Sequence, residues 1–306
     1  MKPSEYPQIS VVVPVYNRAS IMGPTLDSLA AQTARDIEII MVDNNSTDGS
    51  YELLTEWQSR ASRKGLDIIV ARCATPGASA ARNCGLSLVK SDRVMFFDSD
   101  DTMPPTHVAE ALAAISAHHE ADIIGWDYTS SDGTGSRVNR FYGRDMQWNN
   151  LFHGAMATER WCARTELVRK VGGWNENVGY WDDIELGARM LADGATVYYR
   201  GMSGVEVREH AGSITGTYCA DPARIEPALQ SIAATTGQEY WTDIKRAIEY
   251  GLSTRAGNER GAELMSSLLG RYGGLRGLLL RFAYEHTRHG LRGAAALAKP
   301  FCRLFR

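Results

Sequence analysis

The sequence predicts an α/β protein with a mostly parallel central sheet flanked by helices and with a helical C-terminal extension. Short runs rich in β-branched residues alternate with helical segments about every 25 residues through the first hundred positions, as in βαβ units. One run, residues 94–97, is apolar throughout, as in a strand buried on both faces. Beyond residue 218 the strand signal fades and only helical patterns remain.

The elements follow in order along the chain. Strands are predicted at residues 9–15, 37–42, 66–71, 93–97, 122–127 and 196–200. Helices are predicted at residues 21–31, 51–63, 78–89, 106–118, 183–192, 222–234, 240–250 and 260–269. A flexible loop is predicted at residues 130–136, followed by a segment dense in aromatic residues and glycines. Parallel strands place their carboxyl ends at one edge of the sheet, where ligands usually bind.

Composition describes an ordinary globular protein without a general attraction to nucleic acid. The 306 residues are 44% hydrophobic and 23% charged, with a formal net charge of −3. The five cysteines are dispersed, which favours free thiols in a reducing compartment. The first residues lack the apolar core of a signal peptide, and no run approaches the ~20 apolar residues of a membrane span. We therefore expect a cytoplasmic protein, as a monomer or a homo-oligomer.

The last 36 residues differ in charge from the rest of the chain. Residues 271–306 contain eight Lys or Arg and one Glu, so this tail is +7 and the remainder is −10. Apolar side chains follow helical spacing within it, at Leu275, Leu278, Leu279 and Phe282. Two interpretations stay open: a helix that lies on anionic lipid at the inner face of the membrane, or a packed helix with a solvated basic face. Several glycines weaken the helix prediction in both cases.

Three carboxylates follow the buried strand at residues 94–97. Asp98, Asp100 and Asp101 crowd into four positions, and like charges this close repel one another unless a positive group lies among them. A divalent cation with oxygen ligands, Mn²⁺ or Mg²⁺, that also bridges a phosphate would supply that charge. The alternative is a solvated acidic turn. Neither of the two common glycine-rich phosphate-binding motifs is present in the sequence.

Five motifs in order resemble the family 2 glycosyltransferases, which have the GT-A fold. They are VPVYN at 13–17, VDNNSTDG at 42–49, Gly77 with ARNCG at 81–85, FDSDD at 97–101, and GGW at 172–174 with DDIEL at 182–186. The resemblance covers about the first 215 residues. It implies a catalytic domain at 1–218, with a nucleotide-sugar half at 1–101 and an acceptor half at 102–218, and a helical region at 219–306.

The resemblance also implies site residues. Those expected to hold the sugar nucleotide are Pro14, Val15, Tyr16, Asn17, Asp43, Gly77, Arg82, Asp98 and Ser99. Asp98 and Asp100 form the D-x-D pair, with Asp100 on the metal, and His210 is a second candidate metal ligand. Three of these residues have a structural alternative: Asp43 could cap the next helix, Arg82 could lie on a helix surface, and His210 could be structural.

The family's general base is implied at Asp183. Asp182 with Glu185 has the spacing of a capping box, which would give Asp182 a structural task and leave Asp183 to deprotonate the acceptor. Trp174, Tyr180 and Trp181 could stack on an acceptor sugar beside Asp182, and core packing is the alternative for at least one of them.

The favoured function is inverting, metal-dependent transfer of a sugar from a nucleotide-diphosphate sugar to an acceptor hydroxyl. A UDP-sugar is the favoured donor, and polysaccharide, glycolipid or glycosylated natural-product synthesis is the expected setting. A sugar-phosphate nucleotidyltransferase would need a glycine-rich loop with a lysine after the first strand, and residues 16–18 do not supply it. A non-catalytic binding protein with the same fold would show a broken acidic motif or lack the base.

Overall fold

The computed structural model describes residues 7–63, 65–141, 145–209 and 222–302. Its strands are β1 Ile9–Val15, β2 Ile37–Asp43, β3 Asp67–Arg72, β4 Arg93–Phe96, β5 Ile123–Ser131, β6 Ser136–Asn139, β7 Trp161–Arg164 and β8 Val197–Arg208. Its α-helices are α1 Gly23–Ala30, α2 Ser50–Ser62, α3 Ala78–Leu88, α4 His107–Ala117, α5 Met146–His153, α6 Thr165–Lys170, α7 Asp182–Ala192, α8 Glu226–Thr236, α9 Glu239–Arg255, α10 Glu259–Leu269, α11 Gly274–Arg288 and α12 Ala294–Cys302.

The described strands form a single sheet in the order β3-β2-β1-β4-β7-β5-β6, with β8 also paired to β5. The first half, β3-β2-β1-β4, is parallel throughout. β7 enters antiparallel between β4 and β5, while β8 runs parallel to β5. The predicted α/β class, with a mostly parallel sheet flanked by helices and a helical C-terminal region, is confirmed. The carboxyl ends of β1, β2 and β4 consequently lie side by side.

Side chains along the strands alternate between the two faces of the sheet, so the sheet has one apolar core on each face. Val11, Val13 and Met95 pack on one face with helices α1, α2 and α4. Val12 and Phe96 pack on the other face with α3 and α7. Because successive side chains of a strand point to opposite faces, a strand covered on both faces must be apolar at nearly every position. This requirement explains the unbroken apolar runs of β1, β2 and β4.

The structure departs from the sequence-based elements in the middle of the chain. The predicted loop at 130–136 is a hairpin, because β5 extends to Ser131 and Asp132 accepts the backbone N–H groups of Thr134 and Gly135 to close the turn to β6. Three elements lie in the aromatic-rich segment where none was predicted: α5, β7 and α6. β8 continues eight residues beyond its predicted end, to Arg208.

The C-terminal helices share an apolar core with helices α5 and α7. Trp148 of α5 and Ile184 of α7 belong to the same apolar cluster as Trp241, Ile244 and Leu280. The predicted boundary near residue 218 lies outside the described residues, so the division into domains stays a prediction. Among the described residues, no helix combines the length and the apolar character that crossing a membrane requires.

Candidate active site

A cavity of about 750 Å³ opens at the carboxyl ends of β1, β2 and β4. Seven of the nine predicted nucleotide-binding residues line it, namely Pro14, Val15, Tyr16, Gly77, Arg82, Asp98 and Ser99. The predicted metal ligand Asp100 and the predicted base Asp183 line it as well. The fold therefore brings motifs separated by up to 169 positions of sequence, Pro14 to Asp183, to one cavity.

Asn17 and Asp43 lie behind the cavity wall. Asn17 joins two loops, since its Oδ1 accepts the Thr47 N–H at 2.9 Å and its own N–H donates to Ser46 Oγ at 3.0 Å. Asp43 does not cap the next helix, because that helix begins after Gly49 and the Asp48 carboxylate accepts the Ser50 N–H. Asp43 is 2% exposed, and its Oδ1 has no hydrogen-bond partner among the described residues. That oxygen is a free acceptor beside the wall.

Asn44 and Gly77 shape the floor between β2 and α3. The Asn44 amide donates to the carbonyls of Cys73 and Thr75, and its Oδ1 accepts the Gly77 N–H at 2.8 Å. Gly77 has φ 123°, a conformation that side chains strongly disfavour. The glycine in this motif is therefore required by the backbone, and it brings the start of α3 against the cavity.

Arg82 is the central cation of the site. It is buried, and it donates from Nη1 to Asp182 Oδ2 and from Nη2 to Asp98 Oδ1, both at 2.8 Å. Its guanidinium lies 4.3 Å from the ring centre of Trp174. Although burial opposes the charge, the carboxylates of Asp98 and Asp182 raise the pKa of Arg82 above its ordinary value. The alternative of a surface arginine is wrong.

The capping-box interpretation of Asp182 is also wrong. Helix α7 begins at Asp182, its N-cap is Trp181 with φ 58°, and no side chain caps it. The Asp182 carboxylate instead accepts from Ser79 Oγ and Arg82, each at 2.8 Å. The positive φ at Trp181 turns Asp182 into the helix, where its side chain reaches α3. Asp182 is therefore part of the site's charge network.

Asp183 has the environment of a poised base. It is half-buried in the first turn of α7, where its carboxylate accepts the Ile184 N–H at 2.7 Å and the Thr158 N–H at 3.3 Å. Burial, followed by the neighbouring charge of Asp182, raises its pKa to about 7, against the lowering effects of the Ile184 N–H and Arg82. A carboxylate with a pKa near neutrality accepts a proton efficiently at neutral pH.

The other carboxylates fall into two groups. Asp98, Asp101 and Glu159 each offer an oxygen within 4.8 Å of the others, a spacing that suits a metal ion. Burial raises the pKa of both Asp101 and Glu159 well above ordinary values, with Asp98 adding to each shift. Asp100 lies apart, with its Oδ2 3.4 Å from Arg18 Nε. These oxygen donors fit Mn²⁺ or Mg²⁺.

The remaining predicted residues lie elsewhere. Trp174 is 2% exposed and packs edge-on against Phe96, so core packing describes it better than acceptor contact. Tyr180 lies under Arg224, and Trp181 lies under Lys245 at 4.7 Å. His210 is outside the described residues, so its role as a metal ligand stays a prediction.

Sequence reasoning missed several residues of the cavity wall: Arg18, Asn44, Tyr128, Thr158, Glu159 and Arg208. Arg18 follows the first motif directly, and its charge was a usable signal. Glu159 lies in a three-residue turn, Thr158–Arg160, that no motif marks. Arg208 donates its backbone N–H to Asp101 at 2.9 Å and its Nε to the Asp100 carbonyl, contacts that depend on the unpredicted length of β8.

The parallel half-sheet, the antiparallel insertion of β7 and the acidic cavity at the strand ends define a glycosyltransferase of the GT-A fold. The sequence profile described as "Glycosyl transferase family 2" matches residues 10–164. The chain belongs to that family, and the transferase interpretation of the sequence is confirmed over the nucleotidyltransferase.

Known proteins that match this chain do so over different shares of its length. Glycosyltransferase GlyA of Streptococcus pneumoniae is 37% identical over 123 residues, which cover 40% of this chain and 17% of that protein. UDP-Glc:alpha-D-GlcNAc-diphosphoundecaprenol beta-1,3-glucosyltransferase WfaP of Escherichia coli is 24% identical over 236 residues, covering 73% and 86%. The structure of S. aureus TarS in complex with UDP-GlcNAc is 18% identical, with a TM-score of 0.66 over 96% of this chain and 92% of that one. The chain is thus similar to WfaP over most of the length of that protein, but it matches only a small part of GlyA.

Proposed function

We propose that the protein transfers a sugar from a UDP-sugar to an acceptor hydroxyl, with inversion at the anomeric carbon and with a bound Mn²⁺ or Mg²⁺. The observation that carries this proposal is the shared cavity, which joins the Arg82–Asp98 pair to a half-buried carboxylate, Asp183, with a pKa of about 7. The first group suits a diphosphate leaving group, and the second suits a hydroxyl nucleophile.

The donor end of the site is at β1 and β2. Asp43 Oδ1 has no partner among the described residues, so a donor N–H on a base edge would satisfy it. TarS binds UDP-GlcNAc, and the name of WfaP specifies a UDP-Glc donor. These two relatives favour uridine as the base. The sugar is left to experiment.

A divalent cation would be held by carboxylates that follow β4, with Asp98, Asp100 and Asp101 as the candidates, since all three line the cavity. When bound, such a cation neutralises charge that develops on the leaving diphosphate. Arg82 contributes a fixed second cation on the other side of Asp98.

Asp183 would take the acceptor proton as the hydroxyl attacks the anomeric carbon. The N–H groups of Thr158 and Ile184 orient its carboxylate without neutralising it. A single displacement of this kind inverts the configuration, because no intermediate is formed on the protein. The Asp98 carboxylate is engaged by Arg82, which leaves it poorly suited as a nucleophile.

The direct test measures release of nucleoside diphosphate from a panel of UDP-, GDP- and dTDP-sugars. We expect turnover with one or more UDP-sugars, its loss in excess chelator, and its return on addition of Mn²⁺ or Mg²⁺. Asp100→Asn, Asp98→Asn and wild type would be compared under each condition. Full turnover in chelator would contradict the metal part of the proposal. Formation of nucleoside triphosphate and sugar 1-phosphate on addition of pyrophosphate, with no release of nucleoside diphosphate, would contradict the transferase reaction.

We also propose that the C-terminal helices rest on anionic lipid. Helix α11 packs through Leu279, Leu280 and Ala283, while the predicted apolar positions Leu275 and Leu278 are 51% and 65% exposed. Further exposed apolar side chains follow at Phe282, Leu291, Leu297 and Phe301. Arginines alternate with them, and residues 271–306 carry a charge of +7. The helix is therefore packed on one face, while the other face has the composition of an interfacial helix.

Sedimentation with liposomes tests this surface. We expect binding to vesicles containing anionic lipid at low salt, release at high salt, and at least a roughly tenfold loss in the variant Leu275→Ser/Leu278→Ser, because both basic charge and apolar insertion are needed. Val138→Ser is the matched control, since Val138 is 48% exposed on β6. Deleting α11 would remove the buried Leu280 and confuse binding with unfolding. Equal binding to neutral and anionic vesicles would contradict the proposal.

A further inference from the structure

We infer that Glu159 is a ligand of the divalent cation, together with Asp98 and Asp101. This inference rests on the proposed function, because it adds a residue to the metal site proposed there. Glu159 lies on the turn before β7, 58 residues beyond Asp101, and reaches the end of β4 because β7 pairs with β4.

The spacing of the three carboxylates suits a small cation. One oxygen from each lies within 4.8 Å of the other two. Two oxygens that share one Mg²⁺ at about 2.1 Å each are at most about 4.2 Å apart. The three carboxylate oxygens, which lie within 4.8 Å of one another, would therefore draw closer together around a bound ion. Asp101 and Glu159 are 3% and 7% exposed, so this group forms the floor of the cavity.

The second observation is an unsatisfied atom. Glu159 Oε1 is buried and has no hydrogen-bond partner among the described residues, although the side chain lines the cavity. The nearest arginines do not supply one: Arg82 donates to Asp98 and Asp182, and Arg160 donates to the carbonyls of His153, Gly154 and Asn139. A buried carboxylate oxygen without a partner, on a side chain that also faces the Asp98 carboxyl, is costly, and a divalent cation in the cavity would supply the missing positive charge.

The turn that holds Glu159 is fixed on both sides. Trp126 donates its indole N–H to the Glu159 carbonyl at 2.6 Å, and the neighbouring Thr158 donates its N–H to Asp183. The same three-residue turn thus positions a metal ligand and orients the base. Asp100, the ligand expected from the sequence, is directed to Arg18 at 3.4 Å and is not part of this group.

Mn²⁺ affinity of the full chain in the presence of saturating UDP tests the inference. Free Mn²⁺ is measured by electron paramagnetic resonance for wild type, Glu159→Gln and Glu206→Gln. We expect Glu159→Gln to bind Mn²⁺ at least about tenfold more weakly, because it loses a carboxylate ligand. Glu206→Gln removes the same charge from an exposed position of β8 that does not line the cavity and should change the affinity by less than about threefold. Glu159→Asp, which keeps the carboxylate, should lie between wild type and Glu159→Gln.

Thermal melting separates a ligand from a purely structural residue. Without metal, Glu159→Gln should melt at or above the wild-type temperature, because burial and the neighbouring Asp98 already disfavour a charged Glu159 and glutamine is neutral at every pH. With Mn²⁺ and UDP, the wild type should gain stability and Glu159→Gln should not. Wild-type Mn²⁺ affinity in Glu159→Gln would overturn the inference and leave the proposed transferase intact. Absence of Mn²⁺ binding by a wild-type protein that still releases UDP would overturn the inference and the metal dependence together.

Discussion

Asp183→Asn is expected to lower kcat by about 10²–10⁴-fold, the usual contribution of a positioned general base. Asparagine keeps the shape of the side chain and an oxygen that can accept the Ile184 N–H, so the fold and the cavity should persist. Donor binding should also persist, because the proposed nucleotide contacts are near the ends of β1 and β2 and on α3, away from Asp183 in the sequence. Single-turnover rates and UDP affinity, measured separately, check both halves of this expectation.

The pH dependence of kcat/KM is a second test of Asp183 as the general base. With a pKa of about 7, Asp183 is protonated and inactive as a base at lower pH, so kcat/KM of the wild type should fall about tenfold per pH unit below 7 and level off above it. Asp183→Asn should show no such step in its residual activity. A wild-type profile that stays flat down to pH 5 would contradict the assignment of the base.

Stability should change with pH in the opposite sense. The pKa of Asp183 in the folded protein, about 7, exceeds the ordinary value of 3.8, so between these values the folded state holds more protons than the unfolded state. The wild type therefore loses stability as pH rises from 4 to 7. Asp183→Asn lacks this loss and should be more stable than the wild type at pH 8 by roughly 1–3 kcal/mol in urea unfolding. An inactive but stabilised variant excludes misfolding as the cause of its low rate.

Asp182→Asn is the matched comparison at the next position. The sequence favours a capping role and hence a small effect, but the carboxylate accepts from Ser79 and Arg82. Asparagine loses the ion pair and leaves Arg82 attached to Asp98 alone. We therefore expect a rise in donor KM and a smaller loss in kcat than for Asp183→Asn. The two variants should separate binding from proton transfer.

The fold was largely predictable because its core is built from local signals. Strands covered on both faces need unbroken apolar runs, and β1, β2 and β4 have them. The elements that were missed have weaker local signals. β7 is only four residues long, and β6 is mostly exposed and reads as loop. Such strands exist because a neighbouring strand supplies hydrogen bonds, which a sequence pattern does not show.

The site was predictable as a set of motifs but not as a set of contacts. Each motif lies at the end of a strand or the start of a helix, so its position follows from the fold. The pairing of Arg82 with Asp182, 100 residues away, depends on the positive φ of Trp181, which nothing in the sequence indicates. Glu159 joins the acidic group through β7, the strand that was missed. Errors in local structure therefore became errors in the contacts of the site.

The second large effect is expected at Arg82. Arg82→Met keeps much of the side chain's length and apolar contact with Trp174 but removes the cation between Asp98 and Asp182. Removing the cation should cost about 1–3 kcal/mol, less than for a fully buried pair, because the side chains of Asp98 and Asp182 are 35% and 18% exposed and water screens part of their charge. Donor affinity should fall by at least tenfold as well, since the diphosphate loses a fixed cation.

The pH dependence of the free energy of unfolding distinguishes a lost charge from lost packing as the cause. Arg82 lowers the pKa values of Asp183 and Glu159, which burial has raised. Without Arg82 these two pKa values should rise further above their unfolded values, so the folded variant binds more protons as pH falls. The stability deficit of Arg82→Met relative to wild type should therefore be largest near pH 8 and shrink toward pH 5. Urea unfolding at both pH values measures this without adding salt. Arg82→Lys keeps a charge but not the two-pronged geometry, so it should recover part of the stability and little of the donor affinity. A deficit that is equal at both pH values would assign the loss to packing against Trp174 and would contradict an electrostatic role for Arg82.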